Sequence, residues 1–150
     1  MNYQHYLDIA AECAKAATYT GPSCVKLGCV AVYHGTILAK GYNTDKTHTN
    51  QAKYNYLRYD HDQIHKYCPD KCHAELNVLK RIQFLDIDFS KVTLFIYREY
   101  KNGSPALAKP CLACEKFIND LHIGKIVYTA DNGYVVEKFV YNKNKKKKKK

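Results

Sequence analysis

The stretch that most constrains this chain is Leu27-Gly28-Cys29-Val30-Ala31-Val32-Tyr33, apolar at nearly every position. A strand with one wet face alternates apolar and polar residues, so an unbroken run predicts a strand covered on both faces. His34-Gly35 follows as a two-residue turn signal, and Thr36 to Tyr42 then returns as the second arm of a hairpin. Val92 to Tyr97, β-branched and aromatic, and Lys125 to Thr129 predict further strands. Helical periodicity flanks them. Tyr3, Tyr6, Leu7, Ala10, Cys13, Ala14 and Ala17 mark a helix from Tyr3 to about Thr18, ended by Gly21-Pro22. Leu76, Val78, Leu79 and Ile82 mark another over Cys72 to Phe84, and a third runs from Cys111 to Leu121, closed by Gly124. Asp131-Asn132-Gly133 turns the chain into a last apolar segment, Tyr134 to Tyr141, whose pattern suits strand or helix. A hairpin followed by β-α-β units predicts an α/β fold, a mixed sheet with helices on both faces.

The 150 residues have room for one domain, expected over residues 1–141, followed by a disordered lysine-rich tail over 142–150. Seven of the 24 basic residues lie in 143–150, so the rest holds 17 basic against 14 acidic residues, a net of +3 rather than +10. The basicity is therefore mostly a tail, which can attract nucleic acid or anionic surfaces without sequence preference, act as a nuclear address, or simply be solvated. Met1 to Ala17 lacks the apolar core of a secretory leader, and no apolar run nears the roughly 20 residues of a membrane helix. A soluble, cytoplasmic protein with no membrane partner is expected. Seven cysteines, an odd number, argue against a disulfide framework and for reduced thiols. Cys13, Cys24 and Cys29 read as small core residues.

Chemistry concentrates in two short stretches, Cys72-His73-Ala74-Glu75 and Pro110-Cys111-Leu112-Ala113-Cys114, each opening a predicted helix. His73, Cys111 and Cys114 offer one imidazole and two thiolates, a zinc-type donor set. Cys-x-x-Cys brings two sulfurs to one ion within a helical turn, and the positive end of a helix favours the thiolate. Proline ahead of the first thiol suits helix initiation, where its missing N–H costs nothing. Three protein ligands leave the fourth tetrahedral position to water, as in catalytic zinc sites. A closed structural site with Cys72 as fourth ligand is the competing reading, and it leaves Glu75 unexplained.

His-x-Glu followed by Pro-Cys-x-x-Cys is the signature of zinc nucleobase deaminases. On these residues the chain resembles the cytidine/deoxycytidylate deaminase superfamily from about Cys24 to Thr129. The resemblance implies a three-layer α/β/α sandwich around a mixed five-stranded sheet, in agreement with the element order. It implies a zinc-dependent hydrolase with His73, Cys111 and Cys114 as metal ligands and Glu75 as the catalytic acid/base. It also implies that Asn43, ending Gly41-Tyr42-Asn43, binds sugar or base, and that the backbone of Ala74 contacts the base. Asn77, in His73-Ala74-Glu75-Leu76-Asn77, is closer to deoxycytidylate deaminases than to tRNA adenosine deaminases. The serine-tryptophan-serine lead of vertebrate polynucleotide cytosine deaminases is absent; Leu107-Ala108-Lys109 stands there, and the chain has no tryptophan. Small relatives assemble as oligomers, so a homo-oligomer is expected.

Two polar excursions interrupt the elements. Residues 43–71 contain His61, His65 and Cys68, which together with the next residue, Cys72, have a spacing compatible with a second, structural zinc; loop histidines and reduced thiols are the plainer alternative. Tyr54, Tyr56, Tyr59 and Tyr67, among Lys53, Arg58 and Lys66, could stack single-stranded bases or pack the loop down. In Arg98 to Lys109, Arg98 stands where a substrate phosphate could be held, or is an exposed strand-end arginine. The expected function is deamination of cytosine to uracil on a free nucleotide, deoxycytidylate or cytidylate. The alternative is a nucleic-acid editing deaminase acting on single-stranded DNA or RNA cytosine, or on a tRNA adenosine. A third reading is a non-catalytic, zinc-stabilised binding module, against which the intact Glu75 argues.

Overall fold

The computed structural model describes residues 2–17, 26–43, 74–99, 105–110, 112–131 and 133–141. Helix α1 spans Tyr3–Ala14, and its first turn is capped by the Asn2 side chain, which accepts from the His5 N–H at 3.1 Å. Strands β1 (Lys26–Tyr33) and β2 (Thr36–Tyr42) form the expected hairpin. His34 and Gly35 both take positive φ, 51° and 78°, the twist that suits a two-residue hairpin turn. Helix α2 (Ala74–Ile82), strand β3 (Val92–Glu99), strand β4 (Pro105–Ala106), helix α3 (Leu112–Leu121), and strands β5 (Lys125–Ala130) and β6 (Gly133–Lys138) complete the order.

The sheet runs β2-β1-β3-β5-β6, with β4 attached to β3. Among the described residues only β3 and β5 are parallel; the other pairs are antiparallel. Alternation along the central strands divides the interior into two cores. Val30, Val32, Phe95 and Val127 meet Leu7 and Ala10 of α1 on one face. Cys29, Ala31, Leu94, Ile96, Ile126 and Tyr128 meet Leu76, Leu79, Ile82, Phe117 and Ile118 of α2 and α3 on the other. The mixed sheet between helical layers is the architecture read from the unbroken apolar runs. α1 rides so close to β1 that a Cβ on Gly28 would lie 1.9 Å from the Ala10 carbonyl oxygen, so only glycine fits there.

Several boundaries differ from expectation, among them β3, which continues to Glu99 and pairs with β4 inside the stretch read as a polar excursion. α1 ends at Ala14, short of Thr18, in turns closed by Ala16 and Ala17 N–H bonds to Cys13 and Ala14. α2 ends at Ile82, and Phe84 is 88% exposed, because the apolar stripe has already left the core. α3 is closed by His122 rather than Gly124: His122 takes φ 64° while Ile123 N–H bonds Ile118 and His122 N–H bonds Asn119, a Schellman-type cap. Gly124 serves close approach instead, since a Cβ there would lie 1.8 Å from the Ser90 carbonyl oxygen. The last apolar segment is a strand, β6, to Lys138. Among the described residues no helix is long and apolar enough to cross a membrane. The 142–150 tail lies outside the described residues.

Candidate active site

Two side chains tie α2 to the edge strand β2. Asn77 Nδ2 donates to the Tyr42 carbonyl at 2.8 Å, and Arg81 Nη1 donates to the Lys40 carbonyl at 2.8 Å. Gly41 lets the helix settle, with its Cβ position only 3.1 Å from Val78 Cγ2. Moving from Arg81 back to Asn77 advances the partner from Lys40 to Tyr42, so α2 runs antiparallel to β2. Its N-terminus therefore lies at the end where β2 passes into Asn43.

Asn43 is 3% exposed and clamps the start of β1: its N–H donates to the Leu27 carbonyl at 3.2 Å and its Oδ1 accepts from Leu27 N–H at 2.9 Å. Leu27 is in turn paired with Arg98 on β3. Asn43 and Arg98 thus occupy one row across the sheet, their backbones about 10 Å apart at two strand spacings. Arg98 continues the Val92, Leu94, Ile96 alternation that faces α2 and α3. Its Nη1 donates to the Leu107 carbonyl at 3.4 Å, whereas its buried Nε meets no acceptor among the described residues.

Within the first turn of α2, Ala74 is fully buried and Glu75 is 3% exposed. Beneath it on β1 the Cys29 thiol has its pKa raised well above the ordinary value, first by burial and then by the negative charge of Glu75. A carboxylate carried this deep is costly in an apolar interior, and the N-terminal dipole of α2 lowers that cost. α3 enters from the same end. The segment ahead of it is bonded to the carboxyl end of β5 through Ala108 N–H to the Thr129 carbonyl at 2.9 Å. Cys114, in the first turn of α3, is fully buried and in no disulfide.

The carboxyl ends of the parallel pair β3–β5 and the N-termini of α2 and α3 therefore converge, the place where open α/β sheets form their ligand crevice. Glu75, Ala74, Cys114, Asn43 and Arg98 all belong to this end. His73 and Cys111 lie outside the described residues, each one position ahead of a described helix start. Among the described residues no three His, Cys, Asp or Glu side chains form a metal-holding group. The donor chemistry nevertheless fits zinc: a buried thiol lies in the first turn of one helix and a buried carboxylate in the first turn of the other, at the same end of the sheet. His61, His65, Cys68 and Cys72, with the tyrosines of the long excursion, also fall outside the described residues.

Sequence reasoning missed the role of Thr129 and noted Asn77 only for its resemblance, not for the bond it makes. Asn77 does structural work, as the bond to Tyr42 shows; a polar residue inside an amphipathic stripe was the available signal. Thr129 is 5% exposed, and its hydroxyl donates to the Ala106 carbonyl at 2.7 Å and accepts from Arg98 N–H at 3.2 Å.

Residues 1–130 match the model of a family described as the cytidine and deoxycytidylate deaminase zinc-binding region. Among solved structures the chain is similar to the dCMP deaminase of the cyanophage S-TIM5 in its apo form, with 22% identity, a TM-score of 0.53, and 85% of this chain and 82% of that chain covered. The same enzyme in complex with dCMP and dUMP matches at 21% identity and a TM-score of 0.48, covering 83% and 78%. The apo structure shares the fold. No curated protein sequence matches the chain.

Proposed function

This chain belongs to the cytidine and deoxycytidylate deaminase family, and we propose that it is a zinc-dependent hydrolase converting cytosine to uracil on a free nucleotide, deoxycytidylate or cytidylate. The observation that carries the reading is Glu75, a carboxylate 3% exposed in the first turn of α2, at the end of the sheet where Cys114 opens α3. A carboxylate is kept in such a place by the need to move protons away from bulk water.

His73, Cys111 and Cys114 would hold the ion. Zinc, when bound, supplies Lewis acidity that brings a coordinated water to a pKa near ~7. Glu75 takes the proton from the attacking water and delivers it to the ring nitrogen N3 as the C4–O bond forms. It then takes the proton of the new C4 hydroxyl and passes it to the amino group, the C4–N bond breaks as the C4 carbonyl forms, and uracil and ammonia leave. The backbone of Ala74 contacts the base. Asn43, held rigid by its two bonds to Leu27, orients base or sugar. Arg98, whose buried Nε lacks an acceptor among the described residues, suits an anionic oxygen of the nucleotide.

A deamination panel tests this, using protein without residues 142–150 and following uracil or hypoxanthine from free nucleotides, single-stranded oligonucleotides and tRNA. Turnover of deoxycytidylate or cytidylate alone is expected. Turnover of polymer alone would make the chain an editing enzyme and overturn the substrate assignment.

A further inference from the structure

The segment that leads into α3 is built as an insertion between the two parallel strands. β1 holds one edge of β3 through Lys26 and Leu27, paired with Glu99 and Arg98. β4 pairs with the same two residues, Arg98 with Ala106 and Glu99 with Pro105, so it occupies the other edge, the one β5 follows up to Tyr128. β3 and β5 therefore part beyond Tyr128, and the strap 105–110 fills the gap. Its residues alternate, Ala106, Ala108 and Pro110 buried, Pro105, Leu107 and Lys109 exposed.

One side chain joins all three segments. The Thr129 hydroxyl, on β5, donates to the Ala106 carbonyl of the strap at 2.7 Å and accepts the Arg98 N–H of β3 at 3.2 Å. The Thr129 carbonyl then takes the Ala108 N–H at 2.9 Å. Arg98 adds a long bond, 3.4 Å, to the Leu107 carbonyl, and Lys109 lies 3.9 Å from Glu137. After Lys109 comes Pro110, whose ring fixes φ, and then Cys111. The clamped strap thus ends one residue ahead of Cys111 in the chain.

We propose that Thr129 is a positioning residue that sets the strap delivering Cys111 to the metal, an inference that rests on the zinc-dependent reading above. It holds no ligand itself. Its hydroxyl replaces the ladder bond lost where β3 and β5 part, and so decides where the strap stands relative to both strands.

The test compares Thr129→Val, Thr129→Ser and wild-type full-length protein by equilibrium titration of zinc against a competing chelator, with far-UV circular dichroism and melting temperature recorded beside it. Valine fills the same volume and leaves the Ala106 carbonyl and Arg98 N–H without their partner. Zinc affinity about tenfold weaker is expected for Thr129→Val, in the range that loss of a supporting hydrogen bond costs a metal site, with wild-type affinity restored in Thr129→Ser. Should the valine variant not fold, Thr129→Ala, which puts no methyl in the hydroxyl's place, carries the same comparison. Wild-type affinity in the folded Val or Ala variant overturns the inference. Wild-type protein that takes up no zinc would instead overturn the zinc-dependent reading itself, and this inference with it.

Discussion

Against α1 the sheet presents Val30, Val32, Phe95 and Val127, and the helix answers with Leu7, Ala10 and the rings of Tyr3 and Tyr6, centred 6.0 and 5.0 Å from the Phe95 ring. Against α2 and α3 the apolar residues are as fully buried, yet this face also encloses Glu75, Asn77 and Cys114. The first face is filled by apolar area and aromatic contact, which stabilise without demanding particular chemistry. The second carries polar groups that cost stability unless each is satisfied, and it gathers them at one end, where two helix N-termini meet the carboxyl ends of β3 and β5. Substitution on the α1 face should therefore cost stability and spare catalysis, and substitution on the other face should separate the two.

The largest stability change is expected from Phe95→Ala on the α1 face. It removes the ring at the centre of the Tyr3 and Tyr6 contacts and should cost about 3–5 kcal/mol, read by urea unfolding. KM of the protein that stays folded should hold; a large rise in KM would mean that the two faces are coupled. Asn77→Ala sharpens the contrast from the other side. It leaves the partly buried Tyr42 carbonyl without its side-chain donor and should cost about 1 kcal/mol. Because the same bond sets α2 against β2, turnover should fall beyond what the lost folded fraction explains.

The smallest effect is at alkaline pH. Burial pushes Tyr141 up to about 12 from 10.0, and its hydroxyl donates to the Ile123 carbonyl at 2.8 Å beneath α3. Burial and the hydrogen bond to Glu137 do the same for Tyr128, also to about 12. A group whose pKa is raised by folding stabilises fully below its unfolded value and loses that contribution as pH climbs through the folded one. The contribution of these two tyrosines should hold to pH 10 and decline between pH 10 and 12. Tyr141→Phe, with its hydroxyl gone, should show a shallower decline in urea midpoint over that window; an unchanged slope would remove Tyr141 from the explanation.

Elements with strong periodicity were legible in the sequence. The unbroken Leu27–Tyr33 run announced a strand with helices on both sides, His34-Gly35 announced its hairpin, and the two motifs pointed to the helix starts where Glu75 and Cys114 are buried. The strap was not legible. β4 is two residues long, and the buried positions Ala106 and Ala108 are too small to stand out in a hydrophobic pattern. Thr129 looked like an ordinary β-branched strand residue, because its task depends on β3 and β5 parting, a tertiary event. Gly124 was read as a helix stop, since glycine commonly serves there, yet His122 takes the left-handed position and Gly124 makes room for Ser90.

The central claim, that the α2–α3 face houses a proton-transferring carboxylate in a zinc site, is tested most directly by Glu75→Gln with zinc content and deoxycytidylate turnover measured on the same sample. The account predicts bound zinc at the wild-type level and a fall in kcat of at least ~10²-fold, the contribution of a positioned acid/base. Wild-type turnover in the zinc-loaded variant would contradict it.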